Sequence, residues 1–486
     1  MCNKSSLLLA LPLIFCAGCE VGPDYKAPKI DMPTPDKRVD VSAFTVDQWW
    51  KNFNSRVLDN LEKHALHHNT DIQKAIANVA MARASVDEAF ASLLPNIGAS
   101  GSGSKNFIST RGKSFFPGLS KTRHSLDYLT SVGLSYELDL FGKYRRENEA
   151  ARALLLSSEA ARQAVILTVT AEVAKNYFLL RALDAKLAIA RRTLNTRLQT
   201  HKAYKSRFLN GYCTELDLLR IEAEVSSVKS TVLNLEKAVA HAETAMSVLI
   251  GCSPRLIVER KTDTSQAIEK LKISAKIPAG IPSDILSRRP DIAAAEGRLI
   301  AANARIGVAK AAYFPSISLT SAIGYESNSL GRLFLPGVDF WSFSGNASLP
   351  IFTGGKLSAL NAAARANYEA KLADYKRTIQ VAFKEVLDSL VSVHKNQDIV
   401  NSKTRQVNAL KRSYELAIKQ KNSGLIGLID LLDVERGLLA IEIELVDALY
   451  DRLTATVDLC KALGGGWDIS KLTEISNKKN EQEKVS

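Results

Sequence analysis

The segment GLIGLIDLLDVER, residues 424–436, sets Asp430 and Asp433 three positions apart in an apolar run, with Arg436 three further on. At helical spacing all three side chains share one face, roughly a turn apart. Two acids so placed weaken an isolated helix by roughly 0.2–0.5 kcal/mol, and most such pairs are simply solvated. A weaker version, GYCTELDLLRIEAE, occupies residues 211–224; Gly211 to Gly424 is 213 positions, and so is Asp217 to Asp430. Nowhere does the chain show a nucleophile–base pair, a metal cluster or a phosphate-binding loop. The sequence therefore reads as a non-enzyme, with no catalytic residue, no metal and no cofactor.

The remaining reactive side chains point the same way. HALHH (64–68) lies on a charged helix and reads as a solvated face rather than a metal site. The start, MCNKSSLLLALPLIFCAGC, has a lone Lys4, an apolar core from Leu7 to Phe15 and small residues before Cys19. This is a secretory signal, too short to span a bilayer as a mature helix. Its AGC ending resembles a bacterial lipoprotein signal, with cleavage before Cys19 and lipid on that residue's sulfur and amine. Cys16 departs from the usual leucine, and Glu20 after the anchor favours sorting to the outer membrane. A plain signal peptide with an incidental cysteine is the alternative. Cys2 and Cys16 leave with the signal; Cys213, Cys252 and Cys460 remain, an odd set without metal-like spacing, expected as free thiols. The net charge of +13 is scattered among acids, which argues against nucleic-acid binding.

Two kinds of element must position these residues. TSVGLSYELDLFG (130–142) and WSFSGNASLPIF (341–352) alternate apolar with small or polar residues; PSISLTSAIGY (315–325) alternates in its first half, and PNIGASGSGSKNF (95–107) does so more weakly. One apolar face and about ten residues each suit transmembrane β-strands, although a half-buried soluble sheet would look similar. Four strands cannot close a barrel, and an open edge cannot face lipid. An oligomer is required. Between the strand pairs run helices expected over 145–210, 214–250, 356–422 and 428–463, with shorter ones over 57–94 and from Pro290. Each long helix of about 65 residues would span about 100 Å. The expected organisation is a signal over 1–18, a lipidated segment over 19–56, a first repeat over 57–281 (strands about 95–108 and 126–142), a second over 282–467 (strands about 315–328 and 340–353) and a polar tail over 468–486.

With CEVGPDYKAP (19–28), YELDLFG (136–142), LSRRPDIAAAE (286–296), LPIFTGGK (349–356), LLDVER (431–436) and LGGGW (463–467) in this order, the chain resembles the TolC-like outer-membrane factors, in particular their lipoprotein efflux (NodT-type) branch. The resemblance implies a mixed, mainly α fold: a trimeric α/β-barrel with four transmembrane strands and long periplasmic coiled-coil helices per copy. It implies a homotrimer anchored in outer-membrane lipid and extending into the periplasm, fed by an inner-membrane pump through a periplasmic adaptor. In that family Asp430 and Asp433 match rings of carboxylates at the periplasmic constriction, which draw cations. By the same resemblance Arg436 ties neighbouring helices, Ile429 forms an apolar plug, and Asp217 belongs to the network holding the turns closed. Where family members often carry tyrosine this chain has Lys421, expected to bond Asp217 in its place. The implied function is passive export of small molecules. The alternatives are the duct of a protein-secretion machine and a structural periplasmic coiled-coil lipoprotein.

Overall fold

The computed structural model of the protein describes residues 20–30, 48–107, 124–252, 268 and 288–467. The expected signal over 1–18, Cys19, the FFPGL stretch and the polar tail expected over 468–486 lie outside the described residues. Helices α1 (Arg56–His68) and α2 (Thr70–Ala91) lead into strands β1 (Asn96–Phe107) and β2 (His124–Leu138). Next come α3 (Lys143–Leu209), α4 (Glu215–Leu249), α5 (Pro290–Ala311), β3 (Ser316–Ser327), β4 (Asp339–Ser348), α6 (Lys356–Asn422) and α7 (Leu428–Ala462). The chain forms two compact units: residues 1–29, 80–157 and 295–374, and residues 30–79, 158–294 and 375–486. Each unit draws on both repeats, so the units cut across the expected repeat boundary.

The repeat is visible in element lengths. α3 and α6 each have 67 residues, α4 and α7 each 35, and β1 and β3 each 12. It is visible again where the helices stop. α3 and α6 end on Gly211 and Gly424, and α4 and α7 end on Gly251 and Gly464, all at positive φ. Each stop closes with the same two backbone bonds, such as Gly211 N to Phe208 O and Tyr212 N to Arg207 O, or Gly424 N to Lys421 O and Leu425 N to Gln420 O. This is the Schellman arrangement, which satisfies carbonyls that a helix end otherwise leaves unpaired.

In the first unit β1–β2–β3–β4 form one antiparallel sheet in chain order. Its register sorts the side chains cleanly. Val132, Ile323 and Trp341 align across three strands, as do Leu134, Ser321 and Phe343. They belong to an apolar face that also carries Ile97, Tyr136, Leu138, Ile317 and Leu319. The other face carries Ser100, Ser131, Ser318, Thr320, Ser342 and Ser344, with hydroxyl pairs Ser100–Ser131 at 3.1 Å and Thr320–Ser344 at 2.7 Å. Two strands stop short of the expected ends. β2 ends at Leu138 because Asp139 turns to accept the Arg145 amide at 2.9 Å and starts α3. β4 ends at Ser348 because Pro350 lacks a donor and Gly354 and Gly355, at φ 58° and 85°, redirect the chain into α6.

The stretch 20–25 is clipped to this unit. Val21 N bonds Phe141 O at 3.2 Å, the Pro23 carbonyl accepts from Asn303 at 2.8 Å, and Tyr25 donates to Glu296 at 3.0 Å. Buried Arg146 gathers Asp24 and Glu149, each at 2.7 Å, and Glu20 at 3.6 Å. The VGPDY motif is thus a structural clip.

In the second unit Trp49, Phe53, Tyr177, Phe178, Met246, Leu453 and Leu463 are fully buried in one core. The helix expected over 57–94 is broken at Asn69, whose backbone is extended. Its side-chain oxygen accepts from the Asp71 and Ile72 amides at 2.9 and 3.1 Å, capping α2, and its nitrogen reaches Leu249 O at 2.7 Å. An asparagine that caps the next helix and also holds a distant carbonyl outcompetes helix continuation. Arg289 of the RRPD motif grips Asp291 and Glu385, each at 2.7 Å, and donates to Ala462 O at 3.3 Å. A Cβ on Gly464 would stand 1.9 Å from Arg288 O. Gly464→Ala is therefore expected to cost well over the roughly 1–2 kcal/mol of a left-handed backbone alone, read as a lower thermal midpoint. An equal substitution at Gly211, which has open space, should cost only the backbone share.

Candidate functional site at the helix turns

Both helix turns lie in the second unit, and an apolar cluster holds them together: Tyr204 of α3, Ile221 of α4, and Leu428 and Leu432 of α7. Leu428 and Leu432 point inward, so Asp430 and Asp433 fall on the exposed side of α7. Each acid has a different local partner. Asp430 is the third residue of α7 and reaches back to accept the Gly427 amide at 2.9 Å through one oxygen, the other having no bond among the described residues. Asp217 stands equivalently on α4, where Thr214 caps the helix: the threonine oxygen accepts the Asp217 amide at 3.2 Å and its hydroxyl donates to Asp217 at 2.8 Å. Both acids sit at helix N-termini, where the helix dipole favours negative charge.

Asp433 pairs with Arg436 at 2.8 Å, and Arg436 reaches across to Glu224 of α4, also at 2.8 Å. The Glu224 bond raises the Arg436 pKa above its ordinary value. Beneath lies a layer the sequence reading missed. Arg197 of α3, with a side chain only 1% exposed, sits 3.3 Å from Glu435 and 3.8 Å from Glu224 and donates to Leu432 O at 3.4 Å. Burial pushes the Glu435 carboxyl up, Arg197 opposes that, and Glu224 adds to it. Burial, then Glu435, also raise the Tyr414 phenol. A signal was present: Leu428, Leu432 and Glu435 follow the spacing of a buried stripe, and so do Ile221, Glu224 and Val228. Charges in stripe positions of separate helices are candidates for a buried network.

The structure brings Asp433 and Arg436 together and leaves Asp430 and Asp217 in the first turns of separate helices. Ile429 is 48% exposed. No bond joins Lys421 to Asp217 among the described residues of one copy. Among the described residues Cys213, Cys252 and Cys460 form no disulfide; Cys460 is buried, and burial raises its pKa far above the ordinary value. His64 and His68 stack at 4.3 Å, and His64 is tied to Ile250 O at 2.9 Å.

The sequence pattern of the outer membrane efflux protein family matches this chain twice, over residues 61–252 and 281–465. The chain belongs to the outer membrane efflux protein family. It is 33% identical over 481 residues to the antibiotic efflux pump outer membrane protein ArpC of Pseudomonas putida, covering 96% of each chain. It is 32% identical over 475 residues to the cation efflux system protein CusC of Escherichia coli O6:H1, covering 96% of this chain and 99% of that one. The crystal structure of the Campylobacter jejuni CmeC outer membrane channel superposes with a TM-score of 0.88 at 26% identity, over 95% of this chain and 98% of CmeC. As a member of this family the protein is an outer-membrane efflux channel extending into the periplasm, partnered by a periplasmic adaptor and an inner-membrane pump. The family's members are channels rather than enzymes.

Proposed function

We propose that three copies close their four-stranded sheets into one twelve-stranded barrel and that the assembly is a passive exit duct for small molecules, without catalysis of its own. The sheet register carries this reading: one face is mainly apolar and the other is rich in hydroxyls, while β1 and β4 keep open edges that lipid cannot satisfy. The names of the relatives, antibiotic and cation efflux, favour small molecules over a secreted polypeptide.

The helix turns form the gate in this reading, with Asp430 and Asp433 repeated threefold as a cation-selective mouth, Asp217 and Arg436 in the closing network and Ile429 as apolar packing. Lys421 would reach Asp217 between copies. Cys19 carries the lipid, directly before the clipped stretch that begins at Glu20. The repeats over 57–281 and 282–467 supply one hairpin of each kind per copy.

The test is single-channel recording of the purified full chain in a planar bilayer. A low, cation-preferring conductance is expected for the wild type, and Lys421→Ala should raise it by loosening the closed turns. An unchanged Lys421→Ala channel would dismiss that pair. A wild type that never conducts, or that stays monomeric in outer-membrane extracts, would overturn the duct.

A further inference from the structure

The β3–β4 loop, residues 328–338, carries three exposed apolar side chains: Leu330 at 64%, Phe334 at 72% and Leu335 at 52% exposure. Arg332 stands among them, also exposed. A polar turn would serve as well to join two strands, so these residues call for an occupant. Their position names it. The Phe334 ring packs edge-on against Tyr325 with centroids 5.5 Å apart. Tyr325 lies two residues beyond Ile323 on β3, on the apolar face shared with Val132 and Trp341. The loop therefore folds over the apolar side of the sheet and not over its hydroxyl side.

Depth along the sheet is consistent with this. From Ile317 to Tyr325 the strand climbs about 20 Å at a tilt of about 40°, close to the top of a lipid-facing band about 25 Å tall. Asp339, opposite Tyr325, is the first charge met on that face. Lys105, paired with Leu126 on β2, lies on the same face four residues beyond the register row that holds Tyr325 and Asp339. Neither the Lys105 nor the Arg332 side chain has a hydrogen bond or ion pair among the described residues. Two cations without a bond among the described residues, an aromatic rim and a loop of exposed apolar groups thus share the end of the sheet where hydrocarbon gives way to headgroups.

We infer that the β3–β4 loop is an interfacial lipid-binding element. Leu330, Phe334 and Leu335 enter the outer leaflet, and Arg332 and Lys105 hold phosphate groups of its glycolipid. The inference rests on the duct reading, since it needs the apolar face turned to lipid. It commits to the lipid surface; a neighbouring copy or the channel lumen are the occupants that the test would reveal instead.

The full chain is reconstituted in vesicles of phosphatidylethanolamine with a minor fraction of bisphosphorylated lipid A. It is then re-extracted in mild detergent, and lipid A per copy is counted by phosphate assay. Retention should weaken about fivefold for each cation removed in Arg332→Gln and Lys105→Gln, the share of one basic residue near an anionic surface. Unchanged retention in both overturns the phosphate role. In parallel, the extra emission of Phe334→Trp over wild type should be quenched by lipids brominated near the headgroup. Quenching by aqueous iodide alone would put the loop in water. A change in single-channel conductance with Phe334→Ala would put it in the lumen, and a loss of trimer in lipid-free detergent would put it on a neighbouring copy. Each of the three overturns the inference while a conducting wild type leaves the duct standing. A wild type that does not conduct removes both.

Discussion

Replacing Asp430 and Asp433 together by alanine is expected to release the channel from block by a trivalent cation added on the periplasmic side. A trivalent ion about 4 Å from one carboxylate gains about 3 kcal/mol even at the dielectric of bulk water, so losing such a contact should weaken block about a hundredfold. The variant remains a fair test because neither side chain supports the core: Leu428 and Leu432 face inward and the acids do not. Asp430→Ala also removes the acceptor for Gly427 N, which would fray the first turn of α7. Asp430→Asn keeps an acceptor there while removing charge, so it separates the two effects. If the asparagine variant also escapes block, charge is the cause. If wild type and double variant conduct and block alike, the pair returns to a solvated helix face and the mouth must be sought elsewhere.

The second large effect concerns Arg197. Taking it away leaves Glu435 and Glu224 facing each other at a buried site, and breaking a buried ion pair from one side typically costs about 3–5 kcal/mol. Arg197→Met, which keeps an aliphatic stem, should therefore loosen the junction of α3, α4 and α7, seen as faster hydrogen exchange around residues 197, 224 and 435. The pH dependence has a defined sign. The Glu435 carboxyl is raised above its ordinary 4.5 by burial, with Arg197 the opposing influence. A raised folded pKa means that the native state holds the proton more tightly than the unfolded chain. The stability it contributes is present in acid and lost as pH climbs from the ordinary value through the raised one. Without Arg197 that loss extends to higher pH, so the variant should recover on mild acidification. Adding Glu435→Gln should flatten the profile and restore part of the stability. No recovery in acid and no rescue by glutamine would show that Arg197 serves packing and not charge.

Much of this architecture is legible in the sequence because it is periodic. Alternation fixed the strands to within a few residues, and helices free of proline and glycine over some 65 positions left little choice. The 213-residue offset between Gly211 and Gly424 recurs between Gly251 and Gly464, so one repeat predicts the other. What escaped was non-local. Asn69 breaks a helix through a bond to Leu249, which is distant in sequence. The Arg197 network joins three helices, and no single window contains it. The bond that the resemblance implies between Lys421 and Asp217 is not made within one copy, where Asp217 accepts from Thr214, one turn before it.

The serine-rich face of the sheet bears on kinetics. Two hydroxyl pairs bond across strands, Ser100 with Ser131 and Thr320 with Ser344, and offer a passing solute little that water does not, while the carboxylates of Asp127 and Glu326 share the same face. A wall of this kind gives a neutral solute no deep well, whereas a cation meets the carboxylates. Transit of neutral solutes through the barrel is then set by diffusion and not by release, and two neutral solutes of different chemistry should leave at rates that differ mainly with their size.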